Sequence, residues 1–264
     1  MHHTAPRVAM VTGATGAIGS AIAAGIAACP DFELVLACRD GHKAARTAER
    51  IVAGGGGRRV RCEIVDVSRR TAVEALAARW RGPLHVLVNN AAVTPTRREE
   101  TPDGIERQFA TNVLGYLWMI QAFADILSRS APARVVNVAS WWAGDLDPDD
   151  LQFTRRRYDN NLAYRQSKQA DRMLTVAFAE RLAPLGVTVN ACHPGEVPSA
   201  LSRNLGFHGH HTPEEGARTP VWLATQPVGG TLTGRYFADC REARCQFAGD
   251  RAGIEALFAA CLLF

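Results

Sequence analysis

Tyr164-Arg165-Gln166-Ser167-Lys168 is the stretch whose residue types and spacing suggest chemistry first. It falls in a segment of helical composition, and residues four apart on a helix share a face. A phenol ionises near pH ~10 unaided. A neighbouring ammonium favours the phenolate and lowers that value. Tyr164 beside Lys168 is therefore predicted to exchange a proton with a carbonyl or alcohol oxygen near neutral pH. A Tyr and a Lys so spaced also occur as surface decoration, so the pair needs a site around it.

A second group of residues could bind phosphate. The apolar run Arg7–Thr12 leads into Gly13-Ala14-Thr15-Gly16-Ala17-Ile18-Gly19 and then an Ala-rich helix. At a first strand–helix junction such glycines permit a sharp turn, close approach of backbone to a pyrophosphate, and tight helix–strand packing. The helix start adds free N–H groups and a positive dipole end. The bland alternative is a tight turn without a ligand.

The end of the second strand selects between nicotinamide dinucleotides. NAD binders place an acid there, roughly 20 residues past the fingerprint. This chain has Cys38 followed by Arg39. No carboxylate would repel a 2′-phosphate, and a guanidinium could bind one. NADP(H) is expected over NAD(H). The competing reading turns Asp40 back to the ribose, and Lys43 either adds to the phosphate site or is solvated. Trp141 and Trp142 could wall an apolar or ring-shaped substrate, or serve as core and loop residues. Arg155–Arg157 read as an anion patch or as a solvated loop. His193 and the stretch His208, His210 and His211 read as structural and as a flexible loop; no Cys/His spacing points to a metal.

Thr12–Gly19, Asp66-Val67, Asn89-Asn90-Ala91-Ala92, Ser140, Tyr164-x-x-Ser167-Lys168 and His193-Pro194-Gly195 follow one another in an order that resembles the short-chain dehydrogenases/reductases across essentially the whole chain. Leu36-Ala37-Cys38-Arg39-Asp40, Thr111-Asn112-Val113-Leu114-Gly115, the insert Trp141–Asn161 and Thr212-Pro213-Glu214-Glu215-Gly216-Ala217 are most similar to the retinol-dehydrogenase-like branch. The resemblance implies roles. Tyr164 would be general acid or base. Lys168 would lower its pKa and bond the nicotinamide ribose. Ser140 would hold the substrate oxygen, and Asn112 a relay water. Gly13, Thr15, Gly16, Ala17, Ile18 and Gly19 would form the phosphate turn, with Asp66 and Val67 flanking the adenine. Asn89 and Ala91 would line the cofactor cleft, and Pro194, Gly195, Val197 and Ser199 would cover the nicotinamide.

The chain departs from the family pattern in places. Its Gly13-x-x-Gly16-x-x-Gly19 spacing resembles the family's extended branch, and Ala17 adds a methyl beside the phosphate path. Ala139-Ser140 replaces a Ser-Ser pair, leaving Ser140 as the working hydroxyl. The segment from Leu205 to Thr212 is short for the retinol-dehydrogenase-like branch, so the resemblance is no safe basis for assigning retinoid substrates.

The elements that must hold these residues alternate. Strands are predicted at Arg7–Thr12, Glu33–Cys38, Val60–Val65, Leu84–Val88, Arg134–Ala139, Val187–Ala191 and Arg235–Ala238. Helices are predicted at Ala17–Cys29, Lys43–Ala53, Thr71–Trp80, Pro102–Leu127, Leu162–Leu182 and Pro213–Ala224, and a terminal helix in the apolar Leu257–Phe264. Such alternation reads as α/β: a Rossmann-type, doubly wound sheet of about seven parallel strands with helices on both faces. The 264 residues form one domain, with substrate loops at 141–161 and 196–212. Gly54–Gly57 reads as a permissive turn.

Composition excludes other classes. The charged fraction is 21%, the apolar fraction 47% and the net charge +4, with no basic stripe for nucleic acid. No run approaches the roughly 18 apolar residues of a membrane span, and Val8-Ala9-Met10-Val11 comes too early for a secretory signal. The seven scattered cysteines read as reduced thiols of a cytoplasmic protein. The expected partner is a small carbonyl or alcohol substrate, with self-association as a homodimer or homotetramer through the Tyr-bearing helix. The expected function is NADP(H)-dependent reduction of a hydrophobic ketone or aldehyde, cyclic or aromatic ones included, with Tyr164 as proton donor. Two rivals remain: an NAD-dependent alcohol dehydrogenase, and a non-catalytic dinucleotide sensor.

Overall fold

The computed structural model describes residues 5–55 and 60–264. Eight strands form one sheet: β1 (Arg7–Thr12), β2 (Phe32–Cys38), β3 (Val60–Ile64), β4 (Val86–Asn89), β5 (Ala133–Val138), β6 (Val187–Cys192), β7 (Tyr236–Ala238) and β8 (Arg241–Ala243). Their spatial order is β3-β2-β1-β4-β5-β6-β7-β8. All neighbours are parallel except β7 and β8. The chain builds outward from β1 to β3, then crosses to β4 on the other side of β1. That reversal opens a crevice at the carboxyl ends of the central strands.

The strands are apolar on both faces because both are covered. Side chains alternate between two cores. Val8, Met10, Val35 and Val135 face one, with α3 (Arg70–Arg79), α4 (Gly115–Arg129), α5 (Asn160–Leu182) and α9 (Arg251–Cys261). Ala9, Val11, Leu34 and Val136 face the other, with α1 (Ala17–Ala27), α2 (Gly41–Ala53) and α7 (Pro213–Thr225). Two short helices, α6 (Ala200–Asn204) and α8 (Val228–Thr231), complete the chain. No helix among the described residues is long and apolar enough to cross a membrane.

Two departures from the expected elements have local causes. The helix predicted from Pro102 starts later. Residues 101–105 close on themselves, Thr101 N donating to Ile105 O at 2.8 Å. The Glu106 carboxylate then accepts from Gln108 N and Phe109 N at 2.8 and 2.7 Å, capping the helical turn that begins there. Phe109–Leu114 is a π-helical turn before α4. An eighth strand, antiparallel, was not expected. Ala238 pairs with Arg241 across Asp239 and Cys240, both at positive φ, 49° and 56°. That is the two-residue hairpin geometry, here without the usual Asn or Gly. Gly54 and Gly55 leave α2 in a turn, whereas Gly56 and Gly57 lie outside the described residues.

The terminal helix, expected in Leu257–Phe264, instead spans Arg251–Cys261 and docks on the body. On α5 it buries Ile254, Leu257 and Cys261 and sets Phe258 edge-on to Phe178 at 5.3 Å. All seven cysteines are free.

Candidate active site

The insert 141–161 is irregular but tied down. The buried Asp150 carboxylate accepts from the backbone N–H groups of Thr154, Arg155 and Arg156 at 2.7, 3.2 and 3.0 Å. Burial alone would raise its pKa, but these hydrogen bonds hold it at about 2. Arg156 pairs with Asp150 and Asp147, so it serves the loop and is not free for a ligand. The insert leads into α5, which Asp159 caps by accepting from Leu162 N at 2.8 Å.

On α5, Tyr164 and Lys168 share a face as the spacing predicts. Both are buried, at 8% and 2% exposure, beneath a cavity of about 280 Å³ at the carboxyl ends of β4, β5 and β6. Ser140, just past β5, lines the same cavity as the Tyr164 phenol, and its Oγ accepts from Trp142 N at 3.0 Å. Lys168 Nζ donates to Val138 O at 3.1 Å and to Asp171 Oδ2 at 2.8 Å. It lies 5.1 Å from the Tyr116 ring and 5.9 Å from the Tyr164 ring.

Lys168 lowers the Tyr164 pKa as expected, but burial outweighs it. The phenol is raised above its ordinary value against both the ammonium and the Ser140 hydroxyl. Asp171 adds to the rise. The phenol therefore stays protonated in the free protein, where the Tyr–Lys spacing alone had predicted an acidified one.

Asn112 sits in the π-helical turn, a local irregularity common at functional sites. Its Oδ1 accepts from Val93 N at 2.9 Å, and its Nδ2 donates to Val93 O at 3.1 Å and Ser167 Oγ at 3.3 Å. The amide thus clamps the loop after β4 to α5 beside Lys168.

The phosphate turn has the expected shape. Gly13 has φ +63°, and a Cβ there would meet the Ala91 backbone at 2.8 Å. A Cβ on Gly19 would meet Gly13 O at 2.3 Å. Only glycine fits either position. Gly16 is the N-cap of α1 and no side chain caps that helix. Its first-turn N–H groups are left to an anion. Thr15 and Ala17 flank Gly16, and Ile18 reaches the cavity.

At the end of β2, Cys38 is buried and its thiol is pushed up to about 11 by burial, despite hydrogen bonds from Ala14 and Thr15. It is neutral. Arg39 beside it is exposed, with no ion-pair partner among the described residues. Asp40 is engaged elsewhere: its Oδ1 caps α2 by accepting from Lys43 N at 3.0 Å, and its Oδ2 lies 3.7 Å from Lys43 Nζ. Past β3, Asp66 accepts from Ser68 N and Oγ at 3.0 and 2.7 Å, and Val67 is buried behind it. These residues fit a dinucleotide laid across the strand ends.

Asn89 lies elsewhere than its expected place lining the cleft. It is fully buried and donates to Asn137 Oδ1 at 3.0 Å. Asn90 lines the cavity instead, its Nδ2 donating to Thr12 O at 2.9 Å and Gly13 O at 3.3 Å. Successive side chains leaving a strand point oppositely, so one of the two asparagines had to turn inward. Ala91 backs Gly13.

Pro194, Gly195, Val197 and Ser199 line the far wall, Ser199 also capping α6. His211 Nδ1 accepts from Glu196 N at 3.0 Å, so the His-rich stretch is pinned over that wall. Trp142 lies 6.0 Å from both the Tyr164 and Phe207 rings. Trp141 is 56% exposed at the mouth, edge-on to His193. Phe207 escaped sequence reasoning because it arrives from the coil after α6, with no pattern to place it. Asp171 did leave a signal, a carboxylate three residues after Lys168 on the same helix.

Comparisons with known proteins accord with this geometry. Residues 7–207 match a family described as short chain dehydrogenase. A Streptomyces antibioticus protein named "Probable oxidoreductase" is 38% identical over 260 residues, covering 90% of this chain and 86% of its own length. Human retinol dehydrogenase 13 is 32% identical over 88% of this chain and 76% of its own. Among solved structures, the Pseudomonas aeruginosa RhlG/NADP active-site complex superposes with TM-score 0.70 at 27% identity, covering 90% of this chain and 97% of that one. A Mycobacterium paratuberculosis protein superposes with TM-score 0.81 at 26% identity, covering 98% and 93%.

Proposed function

The chain belongs to the short-chain dehydrogenase family, in its retinol-dehydrogenase-like part, whose members are oxidoreductases that bind a nicotinamide dinucleotide; from that premise we propose that it is an NADP(H)-dependent reductase of hydrophobic ketones or aldehydes, cyclic or aromatic ones included. The observation that carries this reading is the buried phenol of Tyr164, with Ser140 beside it, on the floor of a cavity walled by Trp142 and Phe207. The alcohol forms when the carbonyl carbon gains a hydride and the oxygen a proton. The bound cofactor supplies the hydride. Ser140 orients the oxygen, and Tyr164 O–H donates the proton and is reprotonated from solvent. Burial keeps Tyr164 in the protonated state that a donor needs. The aromatic wall excludes water and favours an apolar ring.

Arg39 supports NADP(H): a guanidinium without an ion-pair partner among the described residues, beside a neutral Cys38, with Asp40 already spent on α2. The NADP bound by the Pseudomonas neighbour agrees with this preference. The test is titration with NADPH and NADH of the wild type and Arg39→Asp. NADPH is expected to bind more tightly to the wild type. Loss of the charge-assisted contact, about 1.5–3 kcal/mol, should cost the variant roughly 10–100-fold in NADPH affinity. Equal or tighter NADH binding by the wild type would overturn the assignment.

A further inference from the structure

Lys168 reaches its position by burying an ammonium, which is unfavourable unless the charge is paired. At 2% exposure it has few protein acceptors: Val138 O at 3.1 Å and Asp171 Oδ2 at 2.8 Å. Asp171 lies one turn further along α5, with no exposed side-chain surface. Its other oxygen, Oδ1, has no hydrogen-bond partner among the described residues. The carboxylate is committed to the ammonium. Its backbone is also fixed to the sheet. Asn89 donates to Asn137 at 3.0 Å, Asn137 to Thr175 Oγ1 at 2.9 Å, and Thr175 to Asp171 O at 2.7 Å.

We infer that Asp171 is a positioning residue of the reaction centre, the buried counter-ion that keeps Lys168 charged and fixed behind Tyr164 and so governs proton transfer at the phenol. The inference rests on the reductase reading for its meaning, though not for its test.

The other titratable groups facing the pair are Tyr116 of α4, Tyr164 of α5, Cys192 of β6 and Cys261 of α9; burial raises all four. Arg172, the next residue, turns away to stack on Tyr236 at 3.8 Å. Asp171 is thus the anion available to the ammonium. Burial would strip the proton from Lys168, and the Asp171 charge reverses that, holding its pKa up. Two of the three ammonium donors are thereby oriented into the protein. The same carboxylate acts on the phenol, opposing the Lys168 charge.

The variant Asp171→Asn keeps the shape and removes the charge. Tyrosinate absorbance is titrated in the wild type and in Asp171→Asn, each against its Tyr164→Phe partner to isolate the Tyr164 step. The expected result is a displacement of that step by about one pH unit or more. It moves down where the ammonium survives and up where it is lost; either displacement is the effect of removing the counter-ion. A step that stays in place, even with a lowered melting temperature, assigns Asp171 a structural role and overturns the inference. If Asp171→Asn does not fold, Lys168→Met/Asp171→Asn decides. Recovery of the fold in the double variant identifies the unpaired ammonium as the cause, and failure to recover it overturns the inference. The titration uses neither cofactor nor substrate, so a wild type that turns over no carbonyl would count against the reductase reading alone.

Discussion

At the scale of single residues, burial sets the chemistry more than neighbours do. Tyr164 lies within reach of an ammonium, yet desolvation keeps its proton on. His193 shows the same effect with the opposite sign. Burial lowers its imidazole to about 4, with His211 and Arg172 adding to the fall and Asp239 opposing it, against ~6.5 for a free side chain. Its Nδ1 accepts from Trp141 N at 3.3 Å, a bond that protonation would break. Between these two values the unfolded chain binds the proton and the native one does not, so stability rises with pH. The contribution is full above about pH 6.5 and is lost as pH falls toward 4. Denaturation midpoints measured across that window should fall more steeply for the wild type than for His193→Gln. Equal slopes would contradict the assignment. The sequence shows the identity of such residues and their helical spacing; it does not show how deeply they are buried.

At the scale of elements, legibility tracked the strength of the pattern. The central strands are apolar on both faces, and their runs stand out without context; β1 was predicted with its observed bounds. The glycine turn was equally legible, because Gly13 and Gly19 have steric reasons to be glycine. What escaped depends on contacts distant in sequence or on unusual turn residues. The Thr101–Ile105 closure delays a helix that composition alone would begin at Pro102. The Asp239-Cys240 hairpin lacks the Asn-Gly signature and adds β8 unannounced. The terminal helix α9 was legible as an apolar segment, but not its seat on α5. Leu257, 1% exposed, carries much of that packing. Leu257→Ala should cost about 2–5 kcal/mol. In urea this would appear as a lower midpoint with an unchanged slope. A loss well below 1 kcal/mol would mean that α9 is not part of the cooperative fold.

At the scale of the whole molecule, the order of the sheet accounts for the site. The chain crosses from β3 to β4 over β1, and the ends of β1 through β6 therefore open onto one crevice. Phosphate turn, phenol and aromatic wall meet there although they come from residues 13 to 207. The helix α5 carries the Tyr164 phenol on its cavity side, and α9 of the same chain covers its outer face. A homodimer or homotetramer built on α5, as expected from the sequence, would have to displace that cover.

Carbonyl reduction with Tyr164 as proton donor is the proposed reaction at this site. The most direct measurement is NADPH consumption over a panel of hydrophobic ketones and aldehydes by wild type and Tyr164→Phe, with NADPH affinity measured on both. The expected result is turnover by the wild type and a loss of roughly 10²–10⁴-fold in kcat for the variant, with cofactor binding retained. Turnover by Tyr164→Phe at the wild-type rate would contradict the proposed reaction.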